Sequence, residues 1–397
     1  MTLLLAALAA FAPTATTRTA ADDELTARHG RVLDIDASRY EIFGLEWRRP
    51  VVRTGIFRNV GISFGAPVVS SAQGLVIVGN GAGDVLGLAL KDGTLRWKYH
   101  HGAPFGASAT LVTLQRDGVS NELVILGSLD NELLAIDTAT GALCWHVEVD
   151  GNVRAPGRLV GTRVLVTTTN NKVFLIDALT GNRLWTKGRP GPTGLTVDGQ
   201  AAALAAEGRV YVTYADGYAE AYKLEDGTLV WSRPLSLSGG KFIDADADPV
   251  LSDGKLFVAS YADGIFALSP EDGQTLWSRS APAVTSLGHH EGVLIAASAD
   301  GWLWGLDAAN GALIYRTRFA PGPLSRLVVR DQLAVLTAGV SGLVVINATT
   351  GKPLQSYPLG STFAGDLSWE GADLAFLNSA GFVYAMKLRE RQAPSAR

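Results

Sequence analysis

Apolar residues recur along this chain in short runs broken by Gly, Asp and Asn, and no sustained helical spacing links them. The segments RVYVTYADGYAEAY (209–222), LFVASYADGIFAL (256–268) and VLIAASADGWLWGL (293–306) are each two such runs around an Asp-Gly pair. Asp-Gly supplies the positive φ of a two-residue hairpin turn, so each segment reads as a β-hairpin. A second hairpin phrase follows each of these and also occurs elsewhere. It runs LALKDGTLRW (88–97), AIDTATGALCW (135–145), LIDALTGNRLW (175–185), YKLEDGTLVW (222–231), ALSPEDGQTLW (267–277), GLDAANGALIY (305–315) and VINATTGKPLQ (345–355). In each, an apolar strand leads to a turn glycine, and an aromatic stands four residues later; only the last phrase departs, with Gln355.

The turn glycines Gly93, Gly141, Gly181, Gly227, Gly273, Gly311 and Gly351 are about 38–48 residues apart. That period suits four short strands with their turns, which is one propeller blade. The aromatics Trp97, Trp145, Trp185, Trp231, Trp277 and Tyr315 are expected to cover the backbone of a neighbouring blade, with the glycine giving positive φ and close approach. After the seventh phrase, DLSWEGADLAFLNSAGFVYAMKL (366–388) supplies three further strands and no fourth. The missing one is expected at the other end, where EIFGLEWRRPV (41–51) carries Trp47 in register with the other aromatics. The expectation is an all-β, eight-bladed β-propeller of four-stranded antiparallel blades over residues 41–388, closed by the N-terminal strand.

Composition agrees: of 397 residues, 45 are Gly, 47 % are hydrophobic and only 18 % are charged. A net charge of −4 gives no basic stripe for nucleic acid. Cys144 is the single cysteine, so no internal disulfide or thiolate metal cage is available; within ALCWHV it reads as a buried, inert thiol. Residues 2–12, TLLLAALAAFA, are too few to span a bilayer and read as the core of a signal peptide over residues 1–21, despite lacking a preceding Lys or Arg. No cysteine follows for a lipid anchor. Residues 22–40 read as a linker and 389–397 as a polar tail.

The phrase A-x-D-x-x-T-G-x-x-x-W, matched by AIDTATGALCW and LIDALTGNRLW, resembles the repeat of pyrroloquinoline-quinone (PQQ) propellers. Over about residues 40–390, and most strongly at 241–278, the chain is similar to the non-enzymatic branch typified by the B subunit (BamB) of the outer-membrane β-barrel assembly machinery. The resemblance implies a periplasmic scaffold and a monomer. Its implied partner is the central assembly subunit, held through that subunit's periplasmic repeat domains. Two loops would carry the contact. In GLTVDGQA (194–201), Leu195 and Val197 stand at two apolar anchor positions, while Asp198 replaces an arginine and reverses its charge. In KFIDADADPV (241–250), Asp244 and Asp246 stand at two acidic positions before a proline.

Asp244-x-Asp246-x-Asp248 also opens like a calcium loop, but Pro249 takes the place of the required glycine and Lys255 that of the closing glutamate. The readings left are a solvated acidic loop and a partner-binding surface, with the latter leading. Both loops join strand D of one blade to strand A of the next, so they share a face. Gly61-Ile62-Ser63-Phe64-Gly65 matches a nucleophile elbow but lacks the helix that motif needs. His100–His101 and His289–His290 fall on opposite faces, and Gly79-Asn80-Gly81-Ala82-Gly83 and Asn347-Ala348-Thr349 read as turns. No catalytic, cofactor or metal residue is expected. A quinoprotein dehydrogenase would need ligands not recognisable here, and with one cysteine the vicinal pair of many such enzymes cannot form. An exported propeller with another interaction role is the alternative.

Overall fold

The computed structural model describes residues 42–51, 65–116, 119–192, 200–235, 244–319, 322–359 and 364–389. They form eight four-stranded sheets. Seven are consecutive: 68–100, 110–148, 158–188, 204–234, 250–279, 284–318 and 328–357 make blades 1 to 7, with strands A to D in chain order. Blade 8 takes strands A to C from Ala364–Leu388 and strand D from Phe43–Pro50. This N-terminal strand runs antiparallel to Phe382–Leu388, pairing Phe43 with Leu388 and Trp47 with Ala385. The signal and linker segments fall outside the described residues.

The middle strands are apolar on both sides because each blade is sandwiched between two others. Strand B of blade 1 (Leu75–Gly79) and strand C of blade 5 (Gly264–Leu268) are buried throughout. The outer D strands alternate instead, as in Leu143–Glu148 and Arg183–Gly188. Apolar clusters fill the gap between every pair of adjacent blades, including blade 8 against blade 1, where Trp47 and Val383 meet Val76 and Leu86.

The repeated aromatic is a staple. Trp97 Nε1 donates to the Thr138 carbonyl (2.7 Å), Trp145 to Ala178 (3.0 Å), Trp185 to Leu224 (3.1 Å), Trp231 to Pro270 (2.9 Å) and Trp277 to Ala308 (3.2 Å). Trp47 does the same to Leu90 (2.7 Å), and the Tyr315 hydroxyl to Ala348 (2.8 Å). Each acceptor lies in the C–D turn of the next blade, whose glycine receives the ring face. At Gly141 (φ +74°) a Cβ would stand 2.7 Å from the Trp97 ring, so the glycine is needed for contact as well as for conformation. One such ring buries about 150–250 Å², an upper bound of several kcal/mol per blade at about 25 cal/mol/Å².

Gln355 departs from the pattern for a reason of topology. Blade 8 has no C–D turn, because its D strand comes from the other end of the chain. There is no turn glycine for an aromatic to cover. Instead the Gln355 Oε1 accepts from the Ile42 and Phe43 amides (2.7 Å each), and its Nε2 donates to the Phe43 carbonyl (2.8 Å). The irregular repeat thus pins the strand that closes the ring.

Cys144 is exposed, not buried as the sequence suggests. It lies on an outer D strand, where Trp145 takes the inward position and its neighbour turns out.

Candidate functional site

A–B and C–D turns lie at one end of each blade, and B–C turns and D–A connections at the other. The D–A end of blades 3 to 5 carries the most unusual chemistry. Leu195, Val197 and Asp198 belong to the connection from blade 3 to blade 4, but they lie outside the described residues. Asp244, Asp246 and Asp248 lie between strand D of blade 4 (Leu229–Pro234) and strand A of blade 5 (Val250–Ser252).

This acidic stretch is not a solvated loop. Ala245 packs into the gap between blades 4 and 5, and Ala247 into that between blades 5 and 6. The three aspartates alternate with these alanines, and Asp244 is only 1 % and Asp246 5 % exposed. The Asp244 carbonyl also accepts from the Tyr261 amide (2.7 Å), anchoring the stretch to blade 5.

Asp248 is fully engaged. Its carboxylate meets Arg158 of blade 3 and Arg326, which precedes strand A of blade 7, both at 2.5 Å, and accepts from the Ala202 amide at 2.7 Å. Arg326 also pairs with Asp366 of blade 8 (3.0 Å) and donates to the Gln200 carbonyl beside blade 4. One guanidinium therefore ties blade 7 to blades 4, 5 and 8. Burial opposes ionisation of Asp248, but Arg326, Arg158 and the Ala202 amide outweigh it and hold the carboxyl below its usual range. At Asp366 burial prevails over Arg326 and pushes the carboxyl up.

Beside this network a cleft of about 290 Å³ opens between blades 3, 4 and 5. Arg154, Lys172, Gln200, Tyr214 and Asp246 are among its lining residues. The Gln200 Oε1 accepts from the Arg154 amide (2.8 Å), while its Nε2 and the Asp246 Oδ2 have no hydrogen-bond partner among the described residues. Burial, then the nearby Asp244, pushes the Asp246 carboxyl up to about 7, against the pull of Arg326. The wall behind Tyr214 is a polar relay. Tyr214 and Tyr222 share a hydrogen bond (3.0 Å), Tyr222 donates to Glu220, and Glu220 and Asp216 hold Arg189 at 2.8 and 2.6 Å. The cleft therefore has a firm polar wall and one carboxyl poised between protonation states. A cationic group entering it would meet the Asp246 Oδ2 acceptor beside the Arg154, Lys172 and Gln200 side chains.

Sequence reasoning brought Asp244 and Asp246 to the correct connection. It missed Arg326, Arg158, Gln200 and Tyr214, which lie on other blades; overlaying the repeats and asking which residues open or precede each strand A is the signal that would find Arg158, Gln200 and Arg326. The remaining candidates are structural. Asn80 caps its own turn through the Ala82 and Asp84 amides and reaches the Val51 carbonyl, and Asn347 caps Thr349 and Thr350. His289 and His290 end strand A of blade 6, at the A–B face. Residues 61–64 of the elbow-like motif lie outside the described residues.

The family model described as "Outer membrane protein assembly factor BamB" matches residues 110–244 and 240–391. The chain belongs to the BamB family. Two relatives carrying that name, from Xanthomonas campestris pv. campestris and Nitrosomonas eutropha, are each 30 % identical, over 173 and 119 residues. These matches cover 41 % and 30 % of this chain, and only 39 % and 29 % of the relatives' own lengths. Among solved structures, BamB from Moraxella catarrhalis superposes with a TM-score of 0.70 at 20 % identity, over 87 % of this chain and all of that one. The computationally designed Ika8 protein gives 0.67 at 14 % identity, over 83 % of this chain and 98 % of that one. At such identities the two structures speak for the fold alone. The family's match includes Asp244–Pro249 and the strands around the cleft.

Proposed function

We propose that this chain is a non-enzymatic periplasmic scaffold of outer-membrane β-barrel assembly, docking the periplasmic repeat domains of the central assembly subunit through the D–A face of blades 3 to 5. The observation that carries the reading is the cleft, whose buried Asp246 lies in the family's matched region and has an Oδ2 without a hydrogen-bonding partner among the described residues. Leu195 and Val197, in the connection from blade 3 to blade 4, supply apolar anchors, and a lysine or arginine of the partner enters to pair with Asp246. Asp244 reinforces the negative potential from behind. The reversed charge at Asp198 selects a partner surface with a cation where its relatives' partners meet arginine. Affinity rests on these few groups, as at most interfaces.

No helix among the described residues is long and apolar enough to cross a membrane.

Calorimetric titration with the purified periplasmic repeat domains of the central subunit tests the reading. Leu195→Ala and Asp246→Asn should each weaken binding by about 30-fold or more, as loss of a hot-spot contact of at least 2 kcal/mol does. Leu179→Ser, at the opposite end of blade 3, should bind as wild type. Equal affinity of all four proteins would remove the site, and no wild-type binding would favour a propeller of another interaction role.

A further inference from the structure

A second cluster lies on the same face but two blades away, and the partner-binding reading does not use it. His101 follows strand D of blade 1 (Leu95–His100), its amide donating to the Gly83 carbonyl (2.8 Å) and its ring packed 5.6 Å from that of Phe105. Across the seam, blade 2 contributes Asp130 from its B–C turn and Glu132 from the start of strand C (Glu132–Asp137). Asn131 between them has φ +68°, which brings both carboxylates to one side of the turn. His101 Nε2, an Asp130 oxygen and a Glu132 oxygen lie within 4.8 Å of one another.

We propose that His101, Asp130 and Glu132 form a binding site for a divalent transition metal, with Zn²⁺ the best match, at the seam of blades 1 and 2. Three observations carry this. The first is spacing: His101 Nε2 stands 3.4 Å from Asp130 Oδ2 and 3.3 Å from Glu132 Oε2. A charge-assisted hydrogen bond would close to about 2.7–2.9 Å. Ligands at about 2.0–2.1 Å from a tetrahedral ion lie about 3.3–3.4 Å apart, which is the separation of His101 Nε2 from each carboxylate, and the two carboxylate oxygens lie within 4.8 Å of each other.

The second is charge. Two carboxylates converge on the His101 ring, and a dication would balance their two negative charges. Mixed nitrogen and oxygen donors without thiolate suit zinc, whereas calcium and magnesium take oxygen only.

The third is support and access. Ser128 donates to Asp130 and also receives the Glu132 amide (3.3 Å), so one hydroxyl positions both acidic residues. His146 Nδ1 stands 3.6 Å from the other Glu132 oxygen, as an orienting partner. The His101 and Glu132 side chains are 12 % and 21 % exposed while that of Asp130 is 47 % exposed, leaving one side open for a water as fourth ligand.

The test uses untagged full chain with Zn²⁺ alone in calorimetry, and Co²⁺ as a spectroscopic substitute. One equivalent should bind saturably, raise the melting temperature, and give the visible bands of a four-coordinate Co²⁺ site. Glu132→Gln and His101→Asn should each weaken Zn²⁺ binding by about 10–100-fold or more, while His289→Asn and Cys144→Ser should not. The metal-free melting temperature of each variant shows that it has folded. No saturable binding to the wild-type chain, or binding unchanged in both ligand variants, overturns the proposal.

Discussion

Arg326→Met should lower the unfolding free energy by about 3–5 kcal/mol, the usual cost of removing one partner from a buried ion network. Asp248 and Asp366 would remain, largely enclosed, with most of their compensation gone. Asp248 would keep Arg158 and the Ala202 amide, but among the described residues Asp366 would keep only the Ser108 hydroxyl (3.3 Å) and the Arg326 backbone amide (3.1 Å). The Gln200 carbonyl would lose a donor as well. Since Arg326 ties four blades together, the loss should appear as a lower urea midpoint of one cooperative transition, with little change in its slope. Arg158→Met is the control. That side chain is 46 % exposed and makes one of the two arginine contacts to Asp248, so its removal should cost under about 1 kcal/mol. Equal losses for the two variants would show that Arg326 is not the hub of the ring.

Asp246→Asn should stabilise the protein at pH 8 and leave it nearly unchanged at pH 4. The Asp246 carboxyl is pushed up to about 7 in the folded chain, by burial first and Asp244 second, against an ordinary value of about 3.9. Between these values the folded state binds more protons than the unfolded one, so stability falls as pH rises. The penalty is absent below about pH 4 and complete above about pH 7; at about 1.4 kcal/mol per pH unit it reaches the order of 4 kcal/mol. Asparagine carries no charge to bury and should remove this slope, provided its amide is accommodated in the cleft. Urea denaturation of both proteins from pH 4 to pH 8 measures the difference. A constant difference across that range would mean that Asp246 is not strained by ionisation. With the binding loss expected of the same variant, this describes a site that gives up stability for function.

The fold was legible because its signal is repeated. Each Gly-x-x-x-aromatic phrase states the same physical contact, a ring over the next blade's turn, and six copies leave little freedom in period or topology. Even the exception was informative once the topology was known, since Gln355 stands where no further turn follows. Trp47 gave the ring closure away by sharing the register of the other aromatics. The site was legible only in part. Asp244–Asp248 drew attention as a dense local pattern, but burial is a property of what surrounds it. An alternating Asp-Ala stretch looks solvated until its alanines are seen in two interblade cores. Arg326, in PLSR, resembles any loop arginine because its partners lie 78 and 40 residues away in sequence. His101 was likewise read with its neighbour His100, whereas the structure sets it against blade 2 and gives His100 to Asp84 of its own blade at 2.7 Å.

Which face of the propeller receives the partner is settled by photocrosslinking from two positions on blade 3. Asn170 is exposed in the B–C turn beside the cleft, and Leu179 is 40 % exposed in the C–D turn at the other end of the blade, about 20 Å away along six strand residues. A photoreactive residue at 170 should link to the periplasmic repeat domains of the central assembly subunit, and one at 179 should not. Linkage from 179 alone, or equally from both, would place the contact away from Asp246 and contradict the account.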